Sequence, residues 1–147
     1  MSEPSRARVC VTHRFNFSAE RVFDAWLDPT TLGLWLFATP AGQMVRVEVD
    51  ARAGGRFVLV DRRDGVDVEH SGEYLEIDRP RRLVFSFGVP KYSAEFTRVT
   101  ISILPLGGGC ELTLLHEGVL PDYQQQTTSG WTMVLDSLAR NLAATSP

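Results

Sequence analysis

The sequence predicts an α+β domain in which a curved antiparallel sheet packs against one long C-terminal helix. Successive segments between residues 8 and 117 alternate apolar and polar residues, which is the period of half-buried strands. The segment from Asp122 to Ala144 instead repeats its apolar residues at intervals of three and four. Helices set apart from a run of antiparallel strands are typical of α+β domains.

The first elements are a strand and two short helices. Arg8 to Phe17 alternates as a strand, and Ser18 is then placed to cap a helix over Ala19 to Leu27. Pro29 ends that helix and suits the start of a second one, Thr30 to Leu36, which is too apolar to be a freely solvated turn.

Six further strands complete the predicted sheet. They are Gln43 to Asp50, Arg56 to Asp61, Val66 to Ile77, Arg82 to Phe87, Phe96 to Leu104 and Cys110 to Glu117. In the third of these the inward parity changes, so we expect a bulge at Gly72 that leaves His70 facing inward. A seven-stranded sheet curves, and one helix cannot fill its whole concave face.

The C-terminal helix is apolar in its second half and polar in its first. Its apolar stripe is formed by Trp131, Val134, Leu135, Leu138 and Leu142. The same stripe continues toward the N-terminus through Thr128, Thr127 and Gln124, with Asp122 as the expected cap. Gly130 disfavours helix, and we expect a neighbouring element to approach it closely. The second half should seal the core, and the first should face a cavity suited to a small molecule.

Composition narrows the range of functions. A chain of 147 residues with 44% hydrophobic and 22% charged residues suits a single domain spanning residues 1–147. A net charge of -3 argues against nucleic acid as a partner. The N-terminus has no signal-like apolar run and the chain has no stretch suited to membrane insertion, so we expect a cytoplasmic protein. The two cysteines and three histidines lack ligand spacing, so no metal or cofactor is expected.

Several motifs occur in a recognisable order. They are Ala19-Glu20-Arg21-Val22-Phe23-Asp24-Ala25-Trp26, Ala53-Gly54-Gly55-Arg56-Phe57, Gly72-Glu73-Tyr74-Leu75-Glu76-Ile77-Asp78, and Gly130-Trp131 followed by Leu135-Asp136-Ser137-Leu138. Together they resemble the activator-of-Hsp90-ATPase-homologue family of the START-like superfamily. The resemblance implies the helix-grip fold, a curved antiparallel sheet gripping a C-terminal helix over a hydrophobic cavity. The superfamily includes lipid and hormone binders, polyketide cyclases and aromatases, and an Hsp90 co-chaperone.

Our leading hypothesis is that a small hydrophobic or amphipathic molecule binds between this helix and the sheet. Apolar contact would come from Trp35, Phe57, Leu59, Phe85, Trp131 and Leu135. His116, Thr127 and Thr128 would orient a polar group of the ligand. The alternative for each aromatic residue is a place in the core, and for His116 a satisfied core or rim histidine.

Two other functions fit the same residues. An enzyme of the cyclase or hydrolase kind would use the same cavity with His116 as general acid or base, although no catalytic motif is visible. A protein-interaction module would act as a co-chaperone with a chaperone partner, or form a homodimer through a sheet edge or exposed aromatic side chains. A cluster of arginines would meet an acidic protein or a phosphate or, as we favour, remain solvated turn charges. These are Arg62, Arg63, Arg79, Arg81 and Arg82.

Overall fold

The computed structural model describes residues 6–36, 42–90 and 95–144. The strands are β1 Ala7–Phe15, β2 Gln43–Val49, β3 Arg56–Arg63, β4 Val66–Asp78, β5 Arg82–Phe87, β6 Thr97–Leu106 and β7 Gly109–Val119. The helices are α1 Ala19–Ala25, α2 Leu32–Trp35 and α3 Gln124–Ala144, and a 3-10 turn over Pro121–Tyr123 precedes α3. Within these ranges, no helix is long and apolar enough to cross a membrane.

The strands form one curved sheet of seven in the order β1-β7-β6-β5-β4-β3-β2, with antiparallel pairing throughout. Each strand from β2 to β6 pairs with the next in sequence, and β1 pairs with β7. The predicted strands, the two short helices and the long C-terminal helix are all present, so the predicted helix-grip fold is confirmed.

The core lies between the inward face of the sheet and the second half of α3. Ile101 of β6 and Leu114 of β7 are fully buried, as are Leu135 and Leu138 of the helix. Burying a leucine side chain contributes roughly 1.5–3 kcal/mol relative to leaving it in water. This stripe therefore fixes α3 against the sheet and leaves the first half of the helix to meet what remains of the concave face.

The start of α1 follows the predicted capping pattern. The Ser18 side-chain oxygen accepts a hydrogen bond from the backbone N–H of Arg21 at 3.2 Å, which satisfies one of the unpaired donors in the first turn.

The cap predicted for the long helix α3 is wrong. The 3-10 turn begins after Leu120, and α3 begins at Gln124, so Asp122 lies inside the turn and does not cap α3.

The predicted bulge at Gly72 is wrong. The register between β3 and β4 runs without a shift from Val66 to Glu73, and the irregularity lies between Tyr74 and Glu76, where β4 pairs with β5. Gly72 has a different role, because a Cβ built there would lie 1.7 Å from the carbonyl oxygen of Ser86. His70 nevertheless faces inward and is buried, as predicted.

The expectation for Gly130 is also wrong. A Cβ built on Gly130 meets nothing within 4 Å, so no element in the described part of the chain approaches it closely. Gly130 is exposed on the outer side of α3, one residue before the buried Trp131.

Candidate functional site

A cavity of about 260 Å³ opens beneath the N-terminal end of α3. The ends of β5, β6 and β7 form its floor, and the segment that leads into α3 forms one wall. Its lining includes Phe87, Thr97, His116, Val119, Leu120 and Tyr123, together with Thr127 from α3. Of the described residues of α3, Thr127 is the one in this lining, so the polar first half of the helix meets the cavity through a single side chain.

His116 is held at the floor of the cavity by a hydrogen bond on each ring nitrogen. The Trp131 indole N–H donates to His116 Nδ1 at 2.9 Å, and His116 Nε2 lies 2.6 Å from the hydroxyl oxygen of Thr97. The Thr97 hydroxyl in turn donates to the backbone carbonyl of Phe87 at 3.1 Å. The long helix, β7, β6 and the end of β5 are joined by this chain of bonds.

The direction of these bonds fixes the tautomer of His116. An indole N–H can only donate, so Nδ1 of His116 must be the unprotonated, accepting nitrogen. The ring proton of the neutral imidazole is then on Nε2 and is donated to Thr97.

Burial keeps the imidazole neutral. His116 is 6% exposed, and loss of hydration lowers its pKa to about 4. A general base needs an available lone pair, and the one on Nδ1 already accepts from Trp131. The geometry therefore favours a structural role for His116 at the floor of the cavity over a role as general acid or base.

Aromatic packing holds the same group in place. The Phe87 ring meets His116 at a centroid distance of 5.8 Å and Trp131 at 6.1 Å, and His116 meets Trp131 at 5.8 Å. All three contacts are edge-to-face, which is a favourable arrangement for aromatic rings. The floor is therefore formed by side chains that contact one another directly.

The predicted contact residues divide between this cavity and the core. His116 and Thr127 line the cavity, and Trp131 lies behind His116. Leu59 and Leu135 are fully buried in the core.

The three remaining predicted aromatic residues lie in a separate part of the core. Trp35 is 1% exposed and packs edge-to-face on Trp26 at 4.8 Å. Phe57 packs edge-to-face on Phe85 at 5.4 Å. Phe57 and Phe85 border a void of only about 10 Å³, which is too small for an organic ligand.

The two adjacent threonines of α3 are placed differently. Thr127 is half-buried and lines the cavity. Thr128 is exposed, and its hydroxyl donates to the backbone carbonyl of Gln124 at 2.9 Å, within the helix. A helical step of about 100° between neighbours explains why only one of them reaches the cavity.

Several residues of the cavity were not predicted from the sequence. Phe87 and Thr97 are register partners across β5 and β6, so a correct pairing of these strands would have brought them together. Leu120 directly precedes the 3-10 turn before α3, and Tyr123 lies in that turn. A turn has no periodic pattern from which the direction of a side chain could be predicted. Tyr123 is about half exposed at the cavity mouth.

His70 is a second buried histidine. It lies on β4 opposite Leu59, and burial together with the positive charge of Arg63 lowers its pKa to about 4. Its ring packs 6.1 Å from that of Phe87, so Phe87 contacts both buried imidazoles. Among the residues that the structure describes, no group of histidine, cysteine or acidic side chains could hold a metal ion.

The arginine cluster is compensated by nearby carboxylates. The pairs are Arg62–Asp67, Arg63–Asp61, Arg79–Asp24, Arg81–Asp78 and Arg82–Glu76. Four of these pairs are largely exposed and contribute little to stability. The arrangement favours the interpretation of these arginines as solvated turn charges.

Comparison with known proteins identifies relatives of this fold. The family profile described as Activator of Hsp90 ATPase homolog 1-like protein matches residues 16–143. A protein from Chromobacterium violaceum with a crystal structure is 26% identical to this chain in sequence. The match covers 90% of this chain and 94% of that protein, and the two structures superpose with a TM-score of 0.82. An AHSA1-like protein from Aeromonas hydrophila, solved by NMR, is 21% identical over 94% of this chain and 93% of its own, with a TM-score of 0.80. No curated protein matches the chain significantly.

Proposed function

The chain belongs to the family of activator of Hsp90 ATPase homolog 1-like proteins, and on this premise we propose that it binds a small hydrophobic or amphipathic molecule in the cavity beneath α3. The observation that carries the proposal is an open cavity of about 260 Å³ with a largely apolar lining and a floor of packed aromatic rings. Sites for small molecules are usually preformed, mostly apolar and supplied with a few fixed polar groups.

The size of the cavity limits the ligand. Pockets for drug-sized molecules range from about 300 to 1,000 Å³, so this cavity suits a smaller compound, on the scale of one or two fused rings. Leu120 and Tyr123 are exposed at its mouth and would be covered by such a ligand. Burial of their apolar surface would contribute to the free energy of binding.

The polar groups suit an amphipathic ligand. His116 and Thr97 are fixed at the floor, and Thr127 presents its side chain from the helix. A ligand would place its apolar body against Phe87 and Val119 and its polar group toward the floor.

Two matched variants test where the ligand binds. Thr127→Phe would fill the cavity from the helix side, whereas Thr128→Phe adds the same side chain at an exposed neighbouring position. The wild-type protein would first be screened by thermal shift against short-chain lipids and one- and two-ring fragments of flavonoids and polyketides, which match the size of the cavity. A ligand at 100 times its Kd stabilises the folded state by about 2.7 kcal/mol.

We expect the best compound to lose its stabilising effect in Thr127→Phe and to keep it in Thr128→Phe. Equal loss in both variants, or none in either, would place binding outside the cavity. No stabilisation by any compound would contradict the proposed function. The homodimer and the chaperone partner stay predictions. Light scattering after size exclusion would test for the dimer, and a pull-down would test for the chaperone.

A further inference from the structure

We propose that the floor of the cavity selects ligands that donate a hydrogen bond, such as phenols and alcohols, over ligands that present a carboxylate or a carbonyl. This inference rests on the proposed function and specifies the ligand class for the same site. Thr97 is the specificity-determining residue, and His116 and Trp131 position it.

Trp131 sets the direction of the whole chain of bonds. Its indole N–H has no accepting capacity, so the 2.9 Å contact requires a lone pair on Nδ1 of His116. The opposite tautomer would set two N–H groups against each other inside the protein. His116 therefore presents Nε2–H, and not a lone pair, to Thr97.

The hydrogen-bonding capacity of Thr97 can then be counted. A hydroxyl has one hydrogen and two lone pairs. The hydrogen is donated to the carbonyl of Phe87, and one lone pair accepts the proton of His116 Nε2. The remaining capacity is one lone pair. A ligand that reaches Thr97 from the cavity, which Thr97 lines, must therefore donate to it.

Among the residues that the structure describes, no unbalanced positive charge at the cavity mouth compensates an anion for this. Arg6 is the cation in the lining, and its guanidinium already donates to the Glu95 carboxylate at 2.9 Å. A carboxylate ligand would lie in the same cavity as the Glu95 carboxylate and would still find an accepting atom at the floor. A neutral donor meets neither cost.

Three probes of nearly equal size separate these chemistries: 1-naphthol donates a hydrogen bond, 1-methylnaphthalene has no polar group, and 1-naphthoate carries an accepting anion. Binding would be measured from the change in tryptophan fluorescence, since Trp131 lies behind the cavity floor. One net hydrogen bond corresponds to an affinity ratio of about three- to tenfold, so we expect 1-naphthol to bind tighter than 1-methylnaphthalene by that factor. We expect 1-naphthoate to bind most weakly.

Two variants at Thr97 link the preference to its hydroxyl. Thr97→Val keeps the shape and removes the accepting oxygen, so both neutral probes should bind equally. Thr97→Ser keeps the oxygen and should keep the preference. Because Thr97→Val also leaves His116 Nε2–H without its acceptor, nitrogen-15 NMR of wild-type His116 provides a measurement that does not depend on that variant folding.

The outcomes distinguish this inference from the proposed function. Equal binding of the two neutral probes by the wild type, tighter binding of 1-naphthoate, or a proton found on Nδ1 would overturn the inference while leaving a binding cavity. If none of the three probes binds and the wider compound screen is also negative, the proposed function fails, and the inference fails with it.

Discussion

Acidification from pH 7 to pH 5 should destabilise this protein through its two buried histidines. His116 and His70 each have a pKa of about 4 in the folded protein, against about 6.5 in an unfolded chain. Between these values the unfolded chain binds protons that the folded protein does not, so the free energy of unfolding falls as the pH falls. The stability that depends on the neutral imidazoles is fully present above the unfolded pKa of about 6.5, and it is lost as the pH falls from there toward the folded pKa of about 4.

The size of the effect follows from the same pKa values. Each imidazole costs about 2 kcal/mol between pH 7 and pH 5, and the pair costs about 4 kcal/mol. Domains of this size are stable by only about 5–15 kcal/mol, so the loss should be large enough to measure. The Asp24 carboxyl does not contribute in this window, because its ordinary pKa of 3.8 is already below pH 5 and the hydrogen bond from Arg79 lowers the pKa further.

Urea unfolding followed by circular dichroism at pH 7, 6 and 5 measures this dependence. His116→Gln and His70→Gln replace each imidazole by a polar group that does not titrate, so each should remove about half of the pH dependence whatever it does to stability at pH 7. The double variant should be nearly independent of pH over this range. If both single variants keep the wild-type slope, burial of the imidazoles is not its cause.

The same substitution should have opposite effects at two glycines. Gly72→Ala would place a Cβ 1.7 Å from the Ser86 carbonyl oxygen and force two strands apart, so we expect the free energy of unfolding to fall by at least about 2 kcal/mol. Gly130→Ala adds a Cβ in open space on an exposed helix, and we expect a gain of about 0.5–1 kcal/mol. Urea midpoints of the two variants and the wild type measure both effects, and changes of the same sign would show that the local space at these positions does not decide the outcome.

The periodicity of the chain was enough to predict its elements. Alternation along β6 and β7 identified the inward residues because a strand buries every second side chain, and Ile101 and Leu114 are buried accordingly. The three-and-four spacing of Leu135 and Leu138 identified the face of α3 that contacts the sheet. These patterns depend only on backbone geometry, which is the same in every protein.

The glycines show where local patterns stop being informative. Gly72 and Gly130 were both assigned a structural reason from their place in an element, and the assignments were wrong in different ways. Gly72 is needed because the crossing from β4 to β5 brings Ser86 against it, whereas Gly130 has open space beside it. Which backbone lies opposite a glycine depends on contacts between distant segments.

The sequence by itself determined the sheet, the long helix, and the apolar face by which that helix packs on the sheet. The cavity lies beside the N-terminal end of this helix. Only the tertiary structure decided which residues surround that space. Strand register brings Thr97 opposite Phe87, and the packing of α3 brings Trp131 onto His116, while Trp35 and Phe57 lie in a separate part of the core. The physical reason is that periodicity fixes the face on which a side chain lies, but its neighbours across that face depend on register and on the position of the helix along the sheet.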